Sequence, residues 1–186
     1  MDINPSPKKN ICTSRSFGVK VRDFQSLKES ISSHAARCAE KLRLEKGCAR
    51  YVSVVIKTNP FSDSDYYCGY KSSSFDVPTN DTLDIINAAE NILSSIYKKG
   101  LEYKKSGVIV GDIIPQNQVQ LNLFDMDEKR IKRKKLDSTV DIINQAMGRS
   151  TIHIGSQGIA KNWQLKREKL SPCYTTKWDD LLTINC

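Results

Sequence analysis

The chain has few of the residues that bind metals or build disulfide frameworks. Its two histidines lie far apart, and its six cysteines include no C-x-x-C pair. This pattern argues against a structural zinc site, and no cofactor is expected for the chain itself. The sequence also lacks a charged-then-apolar leader and any apolar run of about 18 residues, so neither secretion nor a membrane span is expected. We therefore expect a protein of the reducing cytosol with free thiols.

Acidic residues are in the minority. The 21 acidic residues are outnumbered by 29 lysines and arginines, which gives a net charge of +8. This excess favours a polyanionic partner such as nucleic acid, although a basic surface can also serve solubility alone. No convincing acidic cluster and no nucleophile paired with a base is present, which argues against an independent nuclease or transferase.

Residues 11–58 predict a strand, a helix and a second strand. A β-like run extends from Ile11 to Val21, and apolar residues then recur at helical spacing from Phe24 to Leu42, with Gly47 as the expected stop. From Arg50 to Thr58 the pattern has period two, which is typical of a half-buried strand. The positions that face one way are Val52, Val54 and Ile56.

Residues 66–113 predict the same kinds of element again. Tyr66–Val77 can pair back as a strand, Thr79-Asn80-Asp81 supplies caps for a helix that Gly100 would end, and a last strand covers Tyr103–Ile113. The order is βαββαβ. We therefore predict an α+β fold: a four-stranded antiparallel or mixed sheet with two helices on one face, followed by a small, mainly helical tail.

The second face of such a sheet is open to a partner. It carries Tyr51, Ser53 and Lys57 rather than a platform rich in aromatic residues, and the RNA-recognition signature is missing. Contacts to a phosphate backbone are therefore favoured over base stacking on RNA.

Gln120-Leu121-Asn122-Leu123-Phe124 directly follows the last predicted strand. One interpretation is a short strand that places Leu121 and Leu123 in the core of the chain. The other is a docking peptide, because a few rigid apolar anchors and one polar contact suffice for recognition. The pattern Q-L-x-L-F resembles the peptide by which bacterial polymerases bind the sliding clamp.

Together with that peptide, several stretches resemble the UmuC family of Y-family translesion DNA polymerases, the catalytic subunits of DNA polymerase V. The resemblance extends over about residues 11–182. The stretches that carry it are Ser14–Gly18, Ile56–Phe61, Asp84–Ala89, Gly107–Asp112, Gly155–Gly158, Trp163–Arg167 and Leu170–Thr176.

The resemblance covers only the C-terminal part of that family and implies a division of the chain. Residues 1–10 would be a linker or truncated start, 11–115 a little-finger-like DNA-binding domain, 116–126 the clamp-binding peptide, 127–135 a basic linker and 136–186 a small domain of uncertain role. Met1 would then mark a truncated gene, a shortened chain or a separate coding unit.

No catalytic residue and no metal ligand is expected here. Family members bind two magnesium ions through acidic residues of an N-terminal palm, which lies outside the resemblance. Asp112 closes a strand and Asp125 flanks the docking peptide, so neither is interpreted as part of a metal cage. The chain alone is thus not expected to be an enzyme.

The resemblance also assigns binding roles. For DNA it suggests Ser14, Arg15 and Ser16, whose hydroxyls, guanidinium and amides suit phosphate oxygens, with Lys57 and Lys71 as further candidates. For the clamp it assigns Gln120 as the polar anchor, and the apolar contacts are Leu121, Leu123 and Phe124.

The segment after the docking peptide is basic and then helical. Six of the seven residues from Lys129 to Lys135 are basic, which is typical of a solvated linker, although such a run could also contact DNA near the clamp. Leu136 to Met147 carries a helical apolar stripe that ends at Gly148, and Thr151–Ile154 is interpreted as a short strand. Trp163 and Trp178 are expected to form the small core of the tail.

The sequence thus predicts a DNA-gripping, clamp-tethering C-terminal fragment of a translesion polymerase, acting in SOS repair and mutagenesis in the bacterial cytoplasm near the nucleoid. The resemblance also implies the partners UmuD′ and RecA, without residues that contact them. The alternative is a stand-alone basic module that binds nucleic acid or competes for the clamp.

Overall fold

A four-stranded antiparallel sheet with two long helices on one face forms the centre of the computed structural model. The structure describes residues 8–61, 66–120, 127–165 and 171–181, without the side chains of residues 127–129. The predicted βαββαβ order and α+β class are confirmed. The elements are β1 (Asn10–Val21), α1 (Phe24–Leu44), β2 (Gly47–Thr58), β3 (Cys68–Thr79), α2 (Thr82–Ile96), β4 (Tyr103–Pro115) and α3 (Asp127–Met147), with single 3₁₀ turns at Gln116–Gln118, Gly155–Gln157 and Trp178–Asp180.

The strands lie in the order β1-β4-β2-β3, and every pair of neighbours is antiparallel. Alternate residues of the two central strands are fully buried under α1 and α2. These inward residues are Val52, Val54, Ile56, Val108 and Val110. Burying each side chain of this size is worth about 1.5–3 kcal/mol, so the period-two pattern decides which face the helices cover.

The two long helices begin as predicted but end differently. Asp23 caps α1 by accepting from the Ser26 amide at 2.7 Å, and Asp81 caps α2 by accepting from the Asp84 amide at 3.0 Å. The prediction that Gly47 stops α1 is wrong. Lys46 makes the turn with a φ of 51°, and Gly47 is the first residue of β2. A Cβ atom on Gly47 would lie 2.6 Å from the Ile113 side chain, so glycine permits close strand contact there.

Helix α2 also ends before the predicted glycine. Its last residue is Ile96, and the Tyr97 amide bonds to the Leu93 carbonyl at 2.9 Å. Gly100 instead adopts a φ of 92° in the turn between α2 and β4.

Trp163 belongs to the core of the sheet domain, which corrects the expectation of a separate core in the tail. It is only 3% exposed and contacts the rings of Phe17 and His34 edge to face, with centroids 6.1 and 5.9 Å away. The Trp163 carbonyl also accepts from the Gly18 amide at 3.2 Å, on the outer edge of β1. Trp178, by contrast, is 87% exposed.

The predicted strand at Thr151–Ile154 is also wrong, since the structure has no strand there. The Asn144 side chain takes the place of a neighbouring strand. Its amide nitrogen donates to the Ile152 carbonyl and its oxygen accepts from the Ile152 amide, both at 2.9 Å. This segment leads into the 3₁₀ turn Gly155–Gln157, where the Ser33 hydroxyl of α1 bonds to the Gln157 carbonyl at 3.4 Å.

Helix α3 is attached to the sheet domain mainly through charged side chains. Arg43 of α1 donates to both carboxylate oxygens of Asp141, at 2.6 and 2.8 Å, and to Asp137 at 3.2 Å. Nearer the start of α3, Arg133 donates to Asp84 at 2.7 Å. Only 13% of the Arg43 side chain is exposed, so this ion pair is shielded from solvent and less weakened by salt than a surface pair.

The basic run expected to be a linker at residues 127–135 is the first part of α3. The predicted helical stripe from Leu136 to Met147 continues the same helix, and Gly148 ends it with a φ of 109°. Two of the cations in the run are used to attach the helix: Arg133 bonds to Asp84, and Arg130 donates to the Pro78 carbonyl at 2.9 Å. The division of the chain into separate units stays a prediction.

Replacing Trp163 with alanine should lower the free energy of unfolding by about 3–5 kcal/mol, because it leaves a cavity between α1 and β1. Trp178→Ala is the matched control and should change stability by less than about 0.5 kcal/mol, since that ring is exposed. Urea denaturation of the full chain at low protein concentration, followed by circular dichroism, measures both. Equal effects would contradict the assignment of Trp163 to the core.

Stability should also depend on the protonation of His34. Burial, with a further contribution from Arg15, lowers the pKa of His34 to about 4. The unfolded chain, with a histidine pKa of about 6.5, binds a proton that the folded state excludes, so stability falls as the pH drops from 6.5 towards 4.

This loss should reach about 3 kcal/mol for His34 alone. In His34→Gln the free energy of unfolding should decline less steeply over the same pH window, although the variant starts from a lower stability. Denaturation curves at several pH values compare the two slopes. Parallel slopes would show that His34 takes up its proton equally well in the folded protein.

Candidate nucleic-acid and partner interface

The open face of the sheet carries a row of polar and basic side chains near one end. Ser16 of β1 pairs with Lys105 of β4, and Lys105 pairs with Lys57 of β2. Directly paired residues point to the same face of a sheet, and this face is opposite to that of the buried Val54 and Ile56. We call Ser16, Lys105 and Lys57 the basic row.

Two of the next positions along β4 on this face, Gly107 and Gly111, have no side chain, and Ile109 lies between them. Gly107 lies opposite Ser14, and a Cβ atom on Gly107 would be 2.6 Å from the Ser14 Cβ. Gly111 lies under the Tyr51 ring, whose hydroxyl donates to Asn10 Oδ1 at 3.1 Å. The two glycines therefore leave space that side chains of the neighbouring strands fill, Ser14 above Gly107 and Tyr51 above Gly111.

Tyr70 of the edge strand β3 lies on the same open face, since it pairs with Val55 of β2. Its hydroxyl donates to the Ser53 hydroxyl at 3.2 Å and accepts from the Ser72 hydroxyl at 3.3 Å. These two hydrogen bonds lower the pKa of Tyr70. The open face thus presents hydroxyl groups beside the basic row, and both suit phosphate oxygens.

The five residues predicted to contact DNA are divided between the two faces. Ser14, Ser16 and Lys57 lie on the open face. Arg15 lies on the helix-bearing face, where its charge contributes to the lowered pKa of His34. Lys71 pairs with the inward-facing Val54, so it lies on the helix-bearing side of the edge strand β3, although it is exposed.

Sequence reasoning missed Lys105. The alternation that puts Gly107, Ile109 and Gly111 on the outer side of β4 also reaches Lys105 two residues earlier. In the sequence, the doublet Lys104-Lys105 does not show which of the two lysines faces outward. In the structure the strand register shifts next to this doublet, and the Lys104 ammonium donates to the Phe17 carbonyl at 2.9 Å.

The start of the predicted clamp peptide lies at the opposite end of the open face. Gln120 is exposed and lines a shallow concavity of about 610 Å³. This concavity is also lined by Tyr51, Pro78 and Asp112. The 3₁₀ turn before it is attached to the sheet domain, since the Gln116 amide donates to the Lys46 carbonyl at 2.9 Å. The other predicted anchors, Leu121, Leu123 and Phe124, lie outside the described residues.

Among the described residues, no group of three or more histidine, cysteine or acidic side chains is arranged to hold a metal ion. Asp112 has a φ of 51° and lies 3.6 Å from Arg50, on the surface at the end of β4. Asp125 lies outside the described residues, and the five described cysteines are free thiols.

Comparison with known proteins identifies the family to which this chain belongs. Residues 8–123 match the impB/mucB/samB family C-terminal domain, and residues 134–184 match a domain of unknown function, DUF4113. The protein UmuC of Salmonella typhimurium strain LT2 is 42% identical over 178 residues, which are 95% of this chain and 42% of UmuC. SamB of Salmonella typhimurium has the same identity and coverage. The chain thus spans less than half the length of these curated relatives.

Among solved structures, the similar ones include a complex of the beta-clamp processivity factor with the little finger domain of PolIV. The identity is 16% and the TM-score 0.42, over 62% of this chain and 99% of that one. The family is decided by the sequence matches alone. This chain belongs to the impB/mucB/samB family, and its residues 8–123 form the C-terminal domain of that family.

Proposed function

We propose that the sheet domain grips duplex DNA through its open face, and that the peptide after it tethers a UmuC-like translesion polymerase to the sliding clamp. The chain contributes binding rather than chemistry to this work. Magnesium-dependent nucleotide transfer is proposed only for a whole UmuC-like protein. This chain matches 42% of the length of Salmonella typhimurium UmuC. Such a polymerase would act in SOS repair and mutagenesis, with UmuD′ and RecA as further partners to which we assign no residue.

The basic row is the observation that carries the DNA-binding proposal. Lys57 and Lys105 lie side by side on neighbouring strands, and neither makes an ion pair with any described residue. Two like charges directly opposite each other destabilise a sheet. A phosphate between the two ammonium groups would remove this repulsion and accept a hydrogen bond from Ser16 as well.

Contacts of this kind do not depend on base identity. The open face offers the ammonium groups of Lys57 and Lys105 and the hydroxyl groups of Ser16 and Tyr70. A polymerase that copies damaged templates needs a grip of this type, since the phosphates stay regular where a base is altered.

The clamp proposal depends on the sequence and on the position of Gln120. The peptide has the complete Q-L-x-L-F pattern, and its first residue is exposed at the end of the sheet domain. Burial of a leucine or phenylalanine is worth about 1.5–3 kcal/mol each, so after ordering costs the peptide should bind at about micromolar strength. Such a tether raises the local concentration of the polymerase and still allows it to leave.

Lys57→Ala and Lys105→Ala should each weaken binding to duplex DNA several-fold and reduce the slope of log affinity against log salt concentration by about 0.9 per lost phosphate contact. Lys71→Ala is the matched control: it removes one positive charge from the other side of the sheet. Fluorescence anisotropy with a labelled duplex at several salt concentrations measures both quantities. If Lys71→Ala weakens binding as much as Lys57→Ala, net charge rather than the basic row holds the DNA.

Changing Gln120, Leu123 and Phe124 together to alanine should abolish micromolar binding to the cognate sliding clamp, because the polar anchor and two apolar contacts are removed. Gln116→Ala combined with Gln118→Ala is the control, since it changes two nearby amides outside the motif. Surface plasmon resonance with immobilised clamp measures the affinity. Unchanged binding by the triple variant would contradict the clamp assignment, and absence of binding by the folded parent chain would favour a stand-alone DNA-binding module.

A further inference from the structure

Residues 173–181 form a small turn that exposes its largest side chains. The Lys177 amide donates to the Cys173 carbonyl at 2.9 Å, and the Cys173 amide donates to Asp180 Oδ2 at 2.9 Å. Within the described part of the chain, the hydrogen bonds of this turn all join its own residues. Trp178 is nevertheless 87% exposed. An ordered but uncovered indole is typical of a binding anchor, because a preformed turn lowers the entropy lost on association.

A cavity of about 300 Å³ lies between α1, α3 and the segment that follows α3. Its apolar lining consists of Ala36, Leu83, Leu136, Val140, Ile152 and Ile154. Leu136 and Ile152 are 58% and 41% exposed, so the lining opens to solvent on their side. The long side chains that attach α3 therefore do not cover all of the apolar lining of this cavity.

Charge distinguishes one side chain of this lining from the rest. Three of the lining arginines, Arg37, Arg43 and Arg133, are each paired with a carboxylate. Arg149 also lines the cavity and is exposed, and it makes no ion pair or hydrogen bond with any described residue. The unfilled apolar cavity is thus accompanied by one unpaired guanidinium.

The turn has the complementary arrangement. Asp179 directly follows Trp178, is exposed and has no partner among the described residues, whereas Asp180 is used inside the turn. An indole beside a free carboxylate matches an apolar cavity beside a free guanidinium. We propose that the Trp178 turn of one copy of this chain inserts into the α1–α3 cavity of a second copy, with Asp179 paired to Arg149 of the second copy.

The same contact can be made twice, once in each direction, which would close a two-fold dimer by exchange of tails. A single contact of this size buries little surface, so the association should be weak and reversible. The cavity lies on the helix-bearing side of the sheet, and neither half of the contact includes the basic row or the clamp peptide. The inference therefore does not depend on the proposed function.

Sedimentation of the full chain over a wide concentration range, with reductant to exclude disulfides, tests the proposal. We expect the average mass to rise above that of the monomer with concentration. Trp178→Ala should stay monomeric throughout, whereas Ile159→Ala, which truncates another apolar side chain that is 90% exposed, should associate as the parent does. A parent chain that stays monomeric at the highest concentration overturns the proposal and leaves the turn to a different protein. Self-association that Trp178→Ala retains also overturns it.

A charge exchange tests the pairing of Asp179 with Arg149. Arg149→Glu and Asp179→Lys should each weaken self-association about fivefold or more, because each sets like charges against one another. The double variant should recover most of the loss. Failure of the double variant to recover overturns the assigned pairing.

A mixing experiment tests the direction of the contact. Trp178→Ala keeps an intact cavity and Arg149→Glu keeps an intact turn, so Trp178→Ala, which stays monomeric alone, should form a mixed dimer with Arg149→Glu. Native mass spectrometry with one variant isotopically labelled detects the mixed dimer. A mixture in which no mixed dimer is detected contradicts the insertion of turn into cavity.

Discussion

The register of β4 between β1 and β2 is the constraint on which both faces of the sheet depend. Because side chains alternate along β4, the pairing that buries Val108 and Val110 under the helices also places Lys105, Gly107 and Gly111 on the open face. A shift by one residue would bury Lys105 and expose the valines. The hydrophobic effect that stabilises the domain therefore also fixes which residues form the basic row. No additional interaction is needed to hold these residues on the open face.

Trp163 connects the tail to this arrangement. Its ring contacts Phe17 at one end of β1 and His34 on α1, and its carbonyl bonds to the Gly18 amide at the outer edge of β1. Two consequences follow. An edge strand that would otherwise offer free amides is partly covered, which lowers the risk of strand-to-strand association. The two family matches, residues 8–123 and 134–184, also share one hydrophobic core, since the residue that completes it belongs to the second match.

Local patterns predicted the strands and helices well, and long-range packing decided what they missed. The alternation of Val52, Val54 and Ile56 and the cap at Asp81 are signals within a few residues, so the sheet, the two helices on it and the second half of α3 could be predicted. Trp163 could not be placed, because its contacts are more than 100 residues away in sequence and a tryptophan pair in a short tail equally suits a local core. For the candidate site, β alternation separates Ser14 and Ser16 from Arg15, but the shifted register beside Lys104 concealed Lys105.

The attachment of α3 by Arg43 has a consequence for how the proposed tether would work. The chain enters the Q-L-N-L-F peptide from a turn bonded to Lys46 and leaves it into α3, which Arg43 and Arg133 fasten to the domain that carries the basic row. A peptide with only one fixed end would let the domain swing around its anchor. With both flanks fixed to one core, a partner that binds the peptide also restricts the direction in which the open face points. The shielded Arg43–Asp141 pair is expected to add little to net stability, because the cost of burying charges offsets most of their attraction, and we interpret its role as fixing the position of the helix. We therefore interpret the contacts of Arg43 with Asp137 and Asp141, and of Arg133 with Asp84, as orienting α3, whereas the apolar core supplies the stability.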